Sequence, residues 1–129
     1  MIGKWLAAKA GGAALRGASV RPGPFVGVQS MIRGEGWQSD NGRTVLVLDA
    51  AGNLALVLDG RKAWSPPKAG GATKLLLDGK GQLILWRDHE RVWVIGSPRA
   101  PSAEFRVQDD GNLVLYDRHT VLWTSDTRL

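Results

Sequence analysis

The chain contains no cysteine, so neither a disulfide scaffold nor a thiolate metal site contributes to its fold. It also lacks a run of about eighteen apolar residues, so we expect no membrane-spanning helix. Histidine occurs only as His89 and His119, without the spacing of a zinc motif, and a polar hairpin turn accounts for Asp88-His89-Glu90. Phosphate-binding glycine motifs and nucleophile elbows are missing. We therefore expect no catalytic residues, no metal and no cofactor.

Basic residues modestly outnumber acidic ones, at 17 to 12, which gives the chain a net charge of +5. Such an excess raises nucleic acid or an anionic membrane surface as a partner. The basic residues are scattered, however, and the longest basic runs are pairs such as Arg61-Lys62. We therefore expect no membrane insertion, and we favour solubility or weak attraction to anionic cell envelopes over a nucleic-acid interface as the role of this charge.

The first 24 residues differ in composition from the rest of the chain. An alanine-rich run follows Lys4, as in a signal peptide, but Lys9 and Arg16 interrupt it. The breaker-rich stretch Arg21-Pro22-Gly23-Pro24 then separates this segment from the remainder. We interpret residues 1–24 as an N-terminal extension, helical or partly disordered, and residues 25–129 as one domain.

Internal repetition organises that domain. Three similar anchors, Gly52-Asn53-Leu54, Gly81-Gln82-Leu83 and Gly111-Asn112-Leu113, lie 29 and 30 residues apart. A tryptophan follows the middle residue of each anchor by eleven positions, which defines Trp64, Trp93 and Trp123. This periodicity predicts three equivalent units of about residues 37–67, 68–98 and 99–129.

Inside each unit, apolar residues alternate with other residues on both sides of a glycine turn. This alternation predicts a hairpin with one face sealed against a core. One hairpin cannot bury its own apolar face, so we expect three to close around a shared axis with the three tryptophans inside. The twelve core positions are Leu46, Leu48, Leu54, Leu56, Leu75, Leu77, Leu83, Leu85, Phe105, Val107, Leu113 and Leu115.

The segment Gln108–Tyr116 reads QDDGNLVLY and matches the pattern Q-x-D-x-N-x-V-x-Y at all five specified positions. Together with Gly34–Gly42 and Val121–Ser125, it makes residues 25–129 resemble the monocot mannose-binding (bulb-type) lectin domains. The resemblance implies an all-β fold, the β-prism II, with three four-stranded sheets in pseudo-threefold symmetry. It also implies mannose binding without a metal, oligomerisation, and a secreted or cell-surface location.

The matched residues suit a sugar, whose hydroxyls both donate and accept hydrogen bonds. Gln108 and Asn112 supply amides, Asp110 a carboxylate, Tyr116 a phenol and Val114 an apolar surface. Alternation and the turn gather all five on one face of the third hairpin. By the resemblance, Gln108, Asp110 and Asn112 would hold the axial O2 and O3 of mannose. Tyr116 would then reach O4, and Val114 would contact the ring.

The two sister positions depart from this pattern, and we expect both to have lost mannose binding. The first reads Asp49, Ala51, Asn53, Ala55 and Val57, and the second reads Asp78, Lys80, Gln82, Ile84 and Trp86. Drift at sites that are no longer needed is the favoured explanation, but outward apolar residues usually have a cover. Three hypotheses are a partner subunit, the N-terminal extension with Trp5 and Leu6, and, for Trp86, stacking on a sugar ring in an extended subsite.

Three functions remain as hypotheses, the last of them a basic protein that binds nucleic acid or a membrane surface. The first is a lectin for mannose-type glycans with one intact site in the third repeat, acting as a homodimer or higher oligomer because a single site binds weakly. The alternative is a structural or protein-interaction β-prism with a vestigial sugar site, as a bacteriocin-like protein or a component of a larger assembly.

Overall fold

The computed structural model describes residues 17–67 and 70–128, and all regular structure within them is β. The described residues contain no helix long and apolar enough to cross a bilayer. The strands are β1 (Ser19–Pro22), β2 (Phe25–Val26), β3 (Val28–Ile32), β4 (Glu35–Gln38), β5 (Thr44–Leu48), β6 (Leu54–Leu58), β7 (Arg61–Trp64), β8 (Lys74–Asp78), β9 (Gln82–Arg87), β10 (Glu90–Gly96), β11 (Ala103–Val107), β12 (Leu113–Asp117) and β13 (Thr120–Thr124).

The strands form three sheets, in the orders β1-β4-β5-β6-β7, β10-β9-β8-β3 and β13-β12-β11-β2. Each sheet contains one predicted hairpin and the tryptophan strand that comes after it, so the all-β, three-sheet prism is confirmed. One detail of the prediction was wrong, because the first sheet has five strands where four were expected. The extra strand is β1, which pairs in parallel with β4.

The core lies where the inner faces of the three sheets meet. All twelve alternating positions belong to a single buried cluster, and Trp64, Trp93 and Trp123 pack against it. The three indole rings contact one another, with centroids 5.6 to 5.7 Å apart. In each sheet, the pairing between the tryptophan strand and the strand before it shifts by one residue next to the tryptophan. This bulge places each tryptophan side chain opposite a leucine of the inner face.

The fourth strand of every sheet comes from one short segment, residues 25–38. Within it, β2 joins the third sheet, β3 the second and β4 the first. Aromatic packing holds this segment to the core, since the Phe25 and Trp37 rings stack 4.3 Å apart and Trp37 lies 5.7 Å from Phe105. These strands were not predicted from the sequence, because β2 and β4 are short and β3 buries only Met31, so none shows a clear period of two.

The outward face of the first sheet carries a second, smaller apolar cluster. Ala18 and Val20, in and beside β1, pack there with Val45, Val47 and Val57. The side chain of Val20 occupies space left open by glycine, since a Cβ on Gly36 would lie 2.9 Å from Val20 Cγ1. Residues of the predicted N-terminal extension therefore cover the first degenerate position. Trp5 and Leu6, which were expected to do so, lie outside the described residues.

This packing predicts that β1 stabilises the domain. Val20→Asp would bury an unpaired carboxylate at a position only 2% exposed, and we expect it to lower the free energy of unfolding by about 3 kcal/mol. Ser19→Asp places the same charge on the exposed side of the same strand and should change it by less than about 0.5 kcal/mol. Urea denaturation measures both values. Equal stabilities of the two variants would contradict the assignment of β1 to the apolar cluster.

Candidate functional site

The candidate site is built on the tight turn between β11 and β12. The backbone N–H of Gln108 donates to the carbonyl of Asn112 at 2.9 Å, and that of Gly111 donates to the carbonyl of Gln108 at 3.1 Å. Gly111 has a φ of 92°, and a Cβ there would lie 2.8 Å from Leu58 Cδ2 of the first repeat. The turn therefore needs glycine for its conformation and for its contact with the neighbouring sheet.

Two of the predicted site residues bond to each other on the outward face. Gln108 Nε2 donates a hydrogen bond to the hydroxyl oxygen of Tyr116 at 3.2 Å, and both side chains are half-buried. This bond leaves the phenolic proton of Tyr116 as a donor and the amide oxygen of Gln108 as an acceptor. Asp110 is exposed in the turn, where Oδ1 of its carboxylate accepts the backbone N–H of Asn112 at 3.0 Å. Its Oδ2 remains as an acceptor for a ligand hydroxyl.

Asn112 is more deeply involved in the fold than its place in the motif suggests. Its amide oxygen accepts hydrogen bonds from Thr124 Oγ1 at 2.9 Å, Ser125 Oγ at 3.0 Å and the backbone N–H of Thr127 at 3.2 Å. The residue is only 8% exposed. Its contribution to a ligand is therefore limited to the Nδ2 donor, while its oxygen anchors the C-terminal segment. Val114 is also buried, at 4% exposure, and offers little apolar surface.

Arg106 is a member of this face that was not predicted from the sequence. It lies opposite Val114 in the register of β11 and β12, and its guanidinium carbon is 5.8 Å from the centre of the Tyr116 ring. It also forms an ion pair with Glu104, two residues earlier on the same strand. The two-residue period of β11 was the available signal, since it places Glu104, Arg106 and Gln108 on one side.

Two clefts flank Arg106. The first has a volume of about 250 Å³ and includes Gln108; its lining residues are Gly23, Pro24, Asp40, Arg106, Val107, Gln108 and Asp109. The second has a volume of about 240 Å³ and includes Tyr116; its lining residues are Ser102, Glu104, Arg106, Tyr116 and Arg118. The Gln108–Tyr116 pair thus connects two neighbouring, solvent-open depressions.

The equivalent hairpin turns in the other repeats use their polar groups differently. Asp49 Oδ1 accepts the backbone N–H groups of Ala51 and Asn53, both at 2.9 Å. Asp78 Oδ1 does the same for the two equivalent N–H groups of the second turn, at 2.8 and 3.0 Å. In the third repeat, Asp110 accepts one such N–H group, and Gln108 is directed instead to Tyr116. The carboxylates at the positions equivalent to Gln108 thus satisfy the turn backbone.

The outward positions of those repeats are apolar. Val57, at the position of Tyr116, is 3% exposed within the cluster that β1 closes. Trp86, at the same position of the second repeat, is half-buried, and the Arg91 guanidinium carbon lies 6.0 Å from its ring centre. Within the described residues, the buried indole N–H of Trp86 has no hydrogen-bond partner. The first position keeps one polar pair, because Asn53 Nδ2 donates to Asp49 Oδ2 at 3.3 Å, but neither position has a hydroxyl in place of Tyr116.

The part of the chain that the structure describes has no cluster of three histidine, cysteine, aspartate or glutamate side chains arranged to hold a metal ion. His89 and His119 occupy equivalent, exposed hairpin turns.

Comparison with solved structures identifies the fold. A lectin from Marasmius oreades is 25% identical and superposes with a TM-score of 0.70 over 84% of this chain and 97% of its own. A monomeric monocot mannose-binding lectin from Gastrodia elata is 22% identical, with a TM-score of 0.67 over 78% of this chain and 94% of its own. The chain has the fold of the mannose-binding lectin family.

A domain-swapped lectin dimer from Mycobacterium smegmatis, 28% identical over 82% of this chain and 100% of its own, superposes with a TM-score of 0.47. No protein-family model matches the chain, and no curated protein matches its sequence. The relationship to this lectin fold is therefore visible in the three-dimensional structure rather than in overall sequence similarity.

The bonding of Asn112 predicts a structural cost for its removal. Asn112→Ala would leave three donors of the C-terminal segment without their acceptor, and we expect the free energy of unfolding to fall by about 2 kcal/mol. Asn53→Ala removes an exposed amide at the equivalent position of the first repeat, where it makes one long hydrogen bond to Asp49 at 3.3 Å, and should cost less than about 1 kcal/mol. Chemical denaturation compares the two. A similar cost at both positions would show that the C-terminal segment does not depend on Asn112.

Proposed function

We propose that the protein is a lectin that binds mannose-type glycans through one site on the third hairpin. The observation that carries this proposal is the outward Gln108–Tyr116 hydrogen bond, which lies between two open clefts. The resemblance of the segment Gln108–Tyr116 to the family pattern supports mannose as the sugar. The mannose-binding character of the Gastrodia elata protein, which shares this fold, supports it as well.

The chemistry of the site fits a neutral hexose. Tyr116 and Asn112 Nδ2 offer hydrogen-bond donors, and Gln108 and Asp110 offer acceptors. A sugar hydroxyl therefore finds a partner whether it accepts or donates a hydrogen bond. The site is shallow and open, so a bound sugar makes few contacts with the protein. These contacts have to offset the free-energy cost of ordering the sugar and of desolvating its hydroxyls and the polar side chains. We expect a dissociation constant on the order of millimolar for a mono- or disaccharide.

Isothermal titration with mannobiose tests this function. The wild-type chain should bind one mannobiose per chain, and Tyr116→Phe and Gln108→Ala should each weaken binding by about fivefold or more, the loss of a neutral hydrogen bond. Gln82→Ala alters the second repeat at the position of Asn112 and should leave the affinity unchanged. Absence of binding to mannobiose, or equal losses in all three variants, would contradict the proposal.

The outward face of the second sheet supports self-association. Val28, Ile32 and Val94 are 71%, 53% and 37% exposed on this face, beside the buried Ile84. Val28 and Ile32 are on edge strand β3 and Val94 is on the opposite edge strand β10, so exposed apolar side chains lie at both edges of this face. Single apolar residues on a surface are ordinary, but several on one face mark an interaction surface. We propose a second copy of the chain as its partner.

Charge on this face is self-complementary. Lys74 and Asp78 lie at opposite ends of β8 and share its outward side with Leu76. A twofold axis at Leu76 would therefore set each Lys74 against the Asp78 of the partner copy. Dimerisation would present two sugar sites together and raise the avidity for a multivalent glycan.

Light scattering in solution tests the dimer. We expect the wild-type chain to be dimeric and Ile32→Glu, which places a charge in the apolar face, to be monomeric. Val121→Glu is the matched control, because Val121 is 52% exposed but belongs to the third sheet. A monomeric wild-type chain would overturn the dimer. A dimer that binds no mannobiose would favour the alternative of a protein-interaction β-prism over the lectin.

A further inference from the structure

The same turn position occurs in all three repeats, but its residue is aspartate in the first two and arginine in the third. Asp59, Asp88 and Arg118 each lie six residues beyond the middle residue of their anchor, in the turn before the tryptophan strand. All three have a positive φ, of 52°, 55° and 58°. Aspartate tolerates this left-handed conformation better than a long side chain does. The third repeat therefore carries arginine where local conformation favours aspartate.

In the first repeat, the carboxylate at this position is part of an ion pair. Arg43 Nε and Nη2 donate to the two carboxylate oxygens of Asp59 at 3.1 and 2.8 Å. This hydrogen-bonded carboxylate raises the pKa of Arg43 above its ordinary value. The equivalents of Arg43 and Asp59 in the third repeat are Ser102 and Arg118. The pair is thus replaced by a hydroxyl and a cation, and the carboxylate is missing.

Ser102 and Arg118 both line the second cleft, beside Tyr116. This cleft also contains Arg106 and Glu104, so two guanidinium groups face one carboxylate there. Among residues 17–67 and 70–128, Arg106 is paired with Glu104, whereas Arg118 forms no ion pair. The first cleft, on the other side of Arg106, has the opposite balance, with Asp40 and Asp109 against one arginine.

The charge is specific to the third repeat. The residues equivalent to Arg106 in the first and second repeats are Val47 and Leu76, so both arginines occur only next to the predicted sugar site. Arg106 is tethered through Nε to Glu104 and lies against the Tyr116 ring. Its terminal nitrogens remain as donors for an oxyanion, in the planar geometry that suits a carboxylate or phosphate.

We propose that this cleft is an acidic subsite, which binds a carboxylate or phosphate group on the glycan residue next to the mannose-type sugar. The proposal rests on the proposed lectin function and refines its ligand to an anionic glycan. A glycan lying across the Gln108–Tyr116 pair would place its neutral ring toward Gln108 and its acidic group between Arg106 and Arg118. The missing carboxylate of the hairpin would then be supplied by the ligand.

Isothermal titration with three disaccharides tests the subsite: mannobiose, a mannose disaccharide ending in a uronic acid, and a mannose disaccharide carrying a phosphate. The wild-type chain should bind at least one acidic ligand about tenfold more tightly than mannobiose, as expected for a charge-assisted bond. The preference should shrink at high salt, since the cleft is open to solvent. The uronate and the phosphate arms decide which oxyanion is preferred.

Arg118→Asp is the decisive variant, because Asp59 and Asp88 adopt the same backbone conformation and the turn should fold normally. It should abolish the preference for acidic ligands. Arg91→Asp is the matched control, since it makes the same change of net charge in an arginine-lined cleft of the second sheet. It should keep the preference.

The outcomes separate the two proposals. Mannobiose binding without any acidic preference, or an equal loss of preference in Arg91→Asp, would overturn the acidic subsite and leave the lectin function standing. Acidic ligands that bind through Arg118 while mannobiose does not bind at all would overturn mannose specificity and support the subsite.

Discussion

The mutual packing of three tryptophans around one axis is the constraint on which the rest of the molecule depends. Trp64, Trp93 and Trp123 each contact the other two, so no sheet can shift its register without disturbing both neighbours. Each ring lies opposite a leucine of its own hairpin, which ties the inner face of every sheet to the axis. Because successive side chains of a strand point to opposite faces of its sheet, fixing the inner-face residues also fixes which residues point outward. The outward faces, where function can vary, are therefore positioned by the core.

Those three outward faces have diverged in different physical directions. On the first, Ala18 and Val20 close an apolar cluster that buries Val57, at the position of Tyr116, to 3% exposure. The second exposes aliphatic side chains such as Val28 and Ile32. The third retains polar groups around Gln108 and Tyr116, flanked by two clefts of unlike charge. One scaffold thus provides a sealed face, an apolar face and a polar face.

Much of this architecture could be predicted from the sequence because the repeats are strong and local. The spacing of the tryptophans and the alternation of leucines indicate the period, the hairpins and the inner face directly. The strands of residues 25–38 were not predictable in this way, since β2 and β3 pair with distant hairpins and none of the three strands shows an alternating pattern of its own. The parallel pairing of β1 with β4 is equally invisible to local patterns.

The polar details of the site depend on competition between ligand and backbone, which a motif does not reveal. Residues of the matched pattern were found together on one hairpin, but the oxygen of Asn112 is engaged by the C-terminal segment. Likewise, Asp49 and Asp78 look like altered sugar ligands in the sequence, yet each satisfies the N–H groups of its own turn. Arg106 enters the site through strand register, which no short motif contains.

The most direct test of the central claim, a single sugar site on the third hairpin, is a titration of the ¹⁵N-labelled chain with mannobiose monitored by two-dimensional NMR. We expect one binding isotherm, with the shift changes concentrated in the amides from Arg106 to Arg118 and in the side-chain amide of Gln108. Changes centred on the hairpins of Asn53 or Gln82, or no saturable change at all, would contradict this claim.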